Sequence, residues 1–285
     1  MNDRNSNRPS RAQDAAASKL ERNNYVAMVA HELRDPLNPI LNAAALLLRS
    51  PGDTAVVQRS AAVIDRQARV MSSLIDDLMN ISRLQTGKLQ LNRAQVSMAE
   101  VIRRCLESAS LFCNQRNQSL SVTISPEPME LDADAARLIQ ALRNLIVNAA
   151  KFSERGTEVR VFADRQDGDA IVRVTDNGIG IAADDLEPIF SLFIQGASAR
   201  ASPANGGLGI GLYLARHFAE AHGGSLRATS PGAGRGSTFI LRIPCMPIEK
   251  NAAESPFRPS SDPSRASRPH NIRRIETRAA DDREP

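Results

Sequence analysis

The chain has 285 residues, 24% of them charged and 42% hydrophobic, a balance that excludes wholesale disorder and a single peptide-sized module. The 36 Lys and Arg against 32 Asp and Glu leave a net charge of +4, too small a surplus at this length to point to nucleic acid. Cys105, Cys113 and Cys245 are odd in number and show no C-x-x-C or Cys/His spacing. Free thiols in a reducing, cytoplasmic compartment are therefore predicted, rather than disulfides or structural zinc. No apolar run approaches the ~18 to 20 residues of a membrane span, and the N-terminus lacks the apolar core of a signal peptide.

Residues 1–19 are polar, with almost nothing to bury, and are predicted to be disordered with no room for a sensory domain. In the segment 20–48, Leu33, Leu37, Ile40, Leu41, Ala44, Leu47 and Leu48 recur at three and four, the period of an amphipathic helix. Pro36 and Pro39 predict a kink in it. Ser50-Pro51-Gly52 breaks the helix, and Asp53 or Thr54 is placed to cap the next one. There Val57, Ala61, Ile64, Ala68, Met71, Ile75 and Leu78 alternate four and three, the seam of a helical bundle. The expected unit, residues 20–88, is a helical hairpin completed by a second copy into a four-helix bundle. An internal helical cap on a downstream domain is the alternative.

Residues 89–247 change texture. Helices are predicted over 97–115, 132–152 and 208–222, and strands over 119–125, 158–163, 170–176, 225–230 and 237–244. That order suggests helices on one face of a mixed sheet. Residues 248–285 are rich in Pro, Ser, Arg and acidic residues and read as a disordered, solvated tail rather than a nucleic-acid arm.

Glycine carries the densest chemical signal. Asp176-Asn177-Gly178-Ile179-Gly180 follows a strand directly, and Gly206-Gly207-Leu208-Gly209-Ile210-Gly211-Leu212 leads into a helix, a layout in which backbone N–H groups can hold phosphate oxygens. The pattern is neither a Walker loop nor the dinucleotide G-x-G-x-x-G. In the preceding helix Asn144, Asn148 and Lys151, spaced four and three, present two amides and an ammonium on one face. Asparagine oxygens are hard neutral ligands suited to Mg²⁺, and the lysine offers a point charge for phosphate. A solvated polar face is the bland reading of such a trio. Near the N-terminus His31-Glu32 places an imidazole beside a carboxylate that can accept its proton, a weak motif by itself.

Taken together, residues 20–246 resemble the transmitter region of the sensor histidine kinases of two-component systems. The run from Ala27 through His31-Glu32-Leu33-Arg34-Asp35-Pro36 to Leu37 looks like the family's H-box, and that from Asn144 to Phe152 its N-box. Asp176 to Ile181 resembles the first G-box, Phe190-Ser191-Leu192-Phe193 the F-box, Gly206 to Leu212 the second G-box, and Gly234 to Phe239 the last glycine box. The resemblance implies an α+β chain: a two-helix hairpin dimerising into a four-helix bundle, followed by an α/β-sandwich ATP-binding domain of the Bergerat type.

It also implies roles. His31 becomes the phosphorylated histidine and Glu32 its proton acceptor. Asn148, helped by Asn144, holds Mg²⁺, Lys151 contacts phosphate, and Asp176 accepts from the adenine amino group of ATP. Phe152, Ile181 and Thr238 line the adenine site, with Gly178, Gly180, Gly207, Leu208, Gly209 and Gly211 along the nucleotide, and residues 190–207 form a mobile lid. The implied partners are a second copy of the chain and the receiver domain of a response regulator; the short polar N-terminus leaves a separate sensory protein open as a further partner. Where the family usually carries Asn or Thr, four positions after the histidine, this chain has Asp35, which puts phosphatase action on the regulator in doubt. Two other readings stand beside this one. An ATP-hydrolysing relative would need a basic Glu where Asn144 stands, and a silent ATP-binding scaffold would leave His31 unphosphorylated.

Overall fold

The computed structural model describes residues 11–194 and 208–247, with side chains from residue 27 onward. The described residues divide into a helical unit, 11–89 with 208–210, and a sheet-bearing unit, 90–194 with 211–247.

In the helical unit α1 (Arg11–Arg49) and α2 (Thr54–Gln85) pack against each other as a hairpin. α1 begins inside the stretch expected to be disordered. The reason is local: residues 11–19 include Ala12, Ala15, Ala16 and Ala17, and alanine is the strongest helix former. The expectations for residues 1–10 and for the tail 248–285 lie outside the described residues. α1 runs without interruption through Pro36 and Pro39. Each proline lacks an N–H, so the carbonyls of Glu32 and Asp35 lose their helical donors. Asp53 caps α2, its carboxylate accepting from the N–H groups of Ala55 and Val56 at 2.9 and 3.0 Å.

The second unit contains α3 (Met98–Gln115), α4 (Ala135–Phe152), α5 (Gly211–Ala221) and two sheets. β1 (Ala94–Ser97) pairs antiparallel with β3 (Glu130–Ala133). The larger sheet has the order β2-β4-β5-β7-β6, built from β2 (Ser119–Ile124), β4 (Glu158–Gln166), β5 (Asp169–Asp176), β6 (Ser225–Thr229) and β7 (Ser237–Pro244). Only β2 and β4 run parallel, because β3 and α4 form the crossover between them; the other neighbours are antiparallel. Alternation sends Val159, Val161 and Ala163 of β4, and Phe239, Leu241 and Ile243 of β7, into the core. α4 packs on both α3 and α5 and buries Leu138, Ala141, Leu142, Leu145, Ile146 and Ala149.

Two helix starts differ from expectation. Asp132 belongs to β3, where Leu131 and Ala133 alternate inward, and α4 begins after Asp134, whose carboxylate accepts from the N–H of Arg137 at 3.2 Å. α5 begins at Gly211 rather than at 208, because Gly209 has φ +67, a left-handed conformation outside the helix.

One buried histidine ties these helices together. His222, just past α5, is 4% exposed; its Nε2 accepts from the N–H of Asp134 at 2.9 Å, and Nδ1 faces the carbonyl of Phe218 at 2.6 Å. Both contacts are satisfied only by the neutral ring with its proton on Nδ1. Burial is the largest influence on the ring and holds it below the ordinary histidine range; the Phe218 carbonyl pulls the other way, Arg93 lowers it further, and Asp134 and Asp132 oppose. The unfolded chain therefore takes up this proton first as pH falls, so the contribution of His222 is complete above about pH 6.5 and shrinks below it. Urea unfolding between pH 8 and 5 should show stability falling in that window, with a flatter profile in His222→Gln. Identical profiles would contradict the assignment.

Candidate functional site

β5 and β7 are neighbours in the middle of the sheet, and the last rung of their ladder pairs Asp176 with Ser237. Asp176 is 4% exposed, and such a carboxylate needs donors. Its Oδ1 accepts from the N–H groups of Gly178 at 2.8 Å and Ser237 at 3.2 Å, and its Oδ2 from the Ser237 hydroxyl at 2.5 Å. Burial pushes the carboxyl above the ordinary aspartate range, and these bonds pull it back toward the ionised form.

Around Asp176 two glycine segments approach so closely that side chains would not fit. A Cβ on Gly178 would lie 2.4 Å from the Phe152 carbonyl oxygen, and one on Gly180, at φ +67, 2.1 Å from that of Gly232. Backbone bonds lace the segments: Gly236 N–H to Gly178 at 3.0 Å, Gly234 N–H to Ile179 at 2.7 Å, and Ile179 N–H to Phe152 at 3.0 Å. The Ser230 hydroxyl accepts from Ile181 N–H at 3.0 Å and donates to the Gly236 carbonyl at 2.7 Å.

α4 contributes its half-buried face. Asn144, Asn148, Lys151 and Phe152 lie between the buried rows of that helix, and Lys151 Nζ stands 5.2 Å from the Phe152 ring centre. The Asn144 amide nitrogen donates to the Gly211 carbonyl at 3.1 Å, joining α4 to the first residue of α5. That leaves the amide oxygen as its hard donor atom. The carbonyls at the end of α4 are held from the α3–β2 turn: Gln118 Nε2 donates to Ala150 at 2.9 Å and Glu154 at 2.8 Å, and Arg116 Nη2 to Lys151 at 3.2 Å. A buried acceptor, backbone cradles that tolerate no Cβ and two neutral amide oxygens suit a purine nucleotide with Mg²⁺. On α1, His31 and Asp35 have side chains 71% and 59% exposed, with Nδ1 and Oδ2 3.6 Å apart, and Glu32 is half-buried beside them.

Residues 133–247 match the family described as histidine kinase-, DNA gyrase B- and HSP90-like ATPase, and residues 21–87 match the His Kinase A (phospho-acceptor) domain. The Mycobacterium tuberculosis sensor-like histidine kinase SenX3 is 33% identical over 234 residues, 82% of this chain and 56% of the relative. The Escherichia coli aerobic respiration control sensor protein ArcB is 31% identical over 236 residues, 82% of this chain and 30% of that protein. The chain belongs to the sensor histidine kinases. It spans about half the length of its SenX3 relatives. The full-length ShkA structure, solved in complex with AMPPNP, aligns with TM-score 0.56 and 28% identity over 77% of this chain and 45% of that chain.

The structure gathers Asp176, Gly178, Gly180 and Ile181 with the end of α4, and it places Asn144 against Gly211. Successive strand residues face opposite sides, so Thr238 turns away from Asp176 and its hydroxyl meets that of Thr175 at 3.1 Å; Ser237 is the residue on the carboxylate. Leu208 and Gly209 precede α5, while Gly207 and the lid segment 195–207 lie outside the described residues. Phe190 is buried edge-on to Phe239, with ring centres 6.5 Å apart. Among the described residues no helix is long and apolar enough to cross a membrane.

Ser237, Ser230, Arg116 and Gln118 are absent from the sequence-derived set. Only Ser237 had a usable signal: it directly follows Gly236 and heads a strand whose phase is set by buried Phe239 and Leu241.

Gly156 offers a control for the close approach at Gly180, since its φ is +79 but nothing lies within 4 Å of its missing Cβ. Gly156→Ala should cost about 1–2 kcal/mol from backbone strain alone. Gly180→Ala should cost about 1–3 kcal/mol beyond that in equilibrium unfolding, from the added clash. Equal costs would contradict the packing of the two glycine segments.

Proposed function

We propose that this chain is an ATP-dependent protein histidine kinase that phosphorylates itself on His31 and passes the phosphoryl group to an aspartate on a response-regulator receiver domain. The observation that carries the reading is an exposed histidine within a phospho-acceptor domain, on the same chain as an ATPase domain with a buried carboxylate between glycine cradles. A neutral imidazole nitrogen attacks the γ-phosphorus of ATP, the bond to the β-phosphate oxygen breaks, ADP leaves, and Glu32 accepts the imidazole proton. Asp176 accepts from the adenine amino group, and Phe152 and Ile181 flank the base. Lys151 and the backbone N–H groups of Gly180 and Gly211 neutralise phosphate charge, while the Gly178 N–H holds Asp176. Asn148 and the Asn144 oxygen hold Mg²⁺, which when bound offsets the charge building on the transferring group.

Hydrolysis to free phosphate is disfavoured because Asn144 is a poor base. Asp35, an acceptor without a donor proton, gives the chain little capacity to dephosphorylate its regulator. The hairpin leaves Leu37, Leu41, Ile75 and Met79 exposed at 40%, 57%, 50% and 51%, which supports burial of these side chains in a homodimeric four-helix bundle. A cytoplasmic location, where ATP is supplied, completes the reading.

Purified chain incubated with γ-labelled ATP and Mg²⁺ should acquire label that is lost in acid and kept in base. His31→Gln should bind ATP and remain unlabelled, while Asn148→Ala should lose Mg-ATP binding about tenfold or more. Free phosphate released equally by wild type and His31→Gln would replace the kinase with an ATPase.

A further inference from the structure

Among the described residues, His31, Glu32 and Asp35 are the one trio of His, Cys, Asp or Glu side chains whose ligating atoms all lie within 4.8 Å of one another. We propose that this trio binds a divalent transition-metal ion of the zinc class, and that the bound ion silences His31.

The spacing that pairs His31 with Asp35 also admits an ion between them. His31 Nδ1 and Asp35 Oδ2 stand 3.6 Å apart, beyond a hydrogen bond. Two ligands of a tetrahedral ion held at about 2.0–2.1 Å stand about 3.3 Å apart, so closing on a metal needs a shift of a few tenths of an ångström. Residues four apart share one helix face, and Glu32, half-buried next to His31, brings a second carboxylate from its flank. The side chains of His31 and Asp35 are exposed, so they can adjust and leave the remaining coordination positions to water.

The donor set selects the ion. One imidazole nitrogen and two carboxylates suit zinc, nickel or cobalt, whereas Mg²⁺ prefers an all-oxygen octahedron and competes poorly for a nitrogen. A metal on Nδ1 takes that lone pair and leaves the ring proton on Nε2. Neither nitrogen can then attack phosphorus. The silencing rests on the proposed kinase function; the binding does not.

The test is a titration of the full chain, without ATP, with Zn²⁺ by calorimetry and with Co²⁺ by absorption, both in millimolar Mg²⁺. We expect one ion per chain, a cobalt spectrum free of thiolate charge transfer, and a loss of affinity of about tenfold or more in His31→Gln and in Asp35→Asn. Asp35→Glu should retain binding. Both positions are exposed, so circular dichroism should show an unaltered fold. Unchanged affinity in His31→Gln, or a thiolate band from Cys105, Cys113 or Cys245, would overturn the site. In the labelling assay, zinc should reduce acid-labile label in proportion to occupancy, and a chelator should restore it. Full labelling at full occupancy would overturn the silencing. A chain that never labels under any condition overturns the kinase reading and leaves the titration to decide the metal site.

Discussion

A carboxylate inside a folded core must be satisfied by hydrogen bonds, and at Asp176 this constraint organises everything around it. Its three donors come from two places in the chain: Gly178 follows it at the end of β5, and Ser237 opens β7. For both to reach one side chain the two glycine segments must lie against each other. They do so at distances that forbid a Cβ, with backbone bonds from Gly234 and Gly236 to Ile179 and Gly178. The polar demand of one residue thus explains the position of the glycines, and the glycines fix the shape of the cradle. The constraint is electrostatic as well. Burial raises the carboxyl's pKa, and its three donors oppose that rise.

α4 transmits this order to the rest of the domain. Its buried stripe seats it between α3 and α5, and its final residues meet the first glycine segment where Ile179 N–H bonds the Phe152 carbonyl. Arg116 and Gln118 close the other carbonyls at that end, and Asp134 with His222 secures the beginning. A helix held at both ends can carry Asn144, Asn148 and Lys151 in a fixed register. The helical unit differs: the His31 side chain lies on an exposed face.

The features legible in the sequence were those set by local chemistry. The spacing of apolar residues in α2, the cap at Asp53 and the glycine runs each follow from near neighbours. β1 and β3 were not legible, because four-residue strands carry too little periodicity, and their pairing spans more than thirty positions, with Ala94 opposite Ala133. At the head of β7 the motif alone names two adjacent hydroxyls, and only strand phase shows that Ser237 is the one on the Asp176 carboxylate. Arg116 and Gln118 act through side chain to carbonyl bonds reaching more than thirty residues ahead, which no local pattern encodes. The helix over 11–19 shows the converse, where intrinsic alanine propensity was outweighed in the reading by the lack of anything to bury.

The proposed role of Asp176 is that of a buried acceptor reading an exocyclic amino group. The most direct test compares the affinities of the wild-type chain for ATP and inosine triphosphate, which presents a carbonyl oxygen where adenine carries that amino group. An acceptor facing an acceptor leaves both unpaired in a dry site, so ATP should bind at least about tenfold more tightly. Equal affinities would contradict the account.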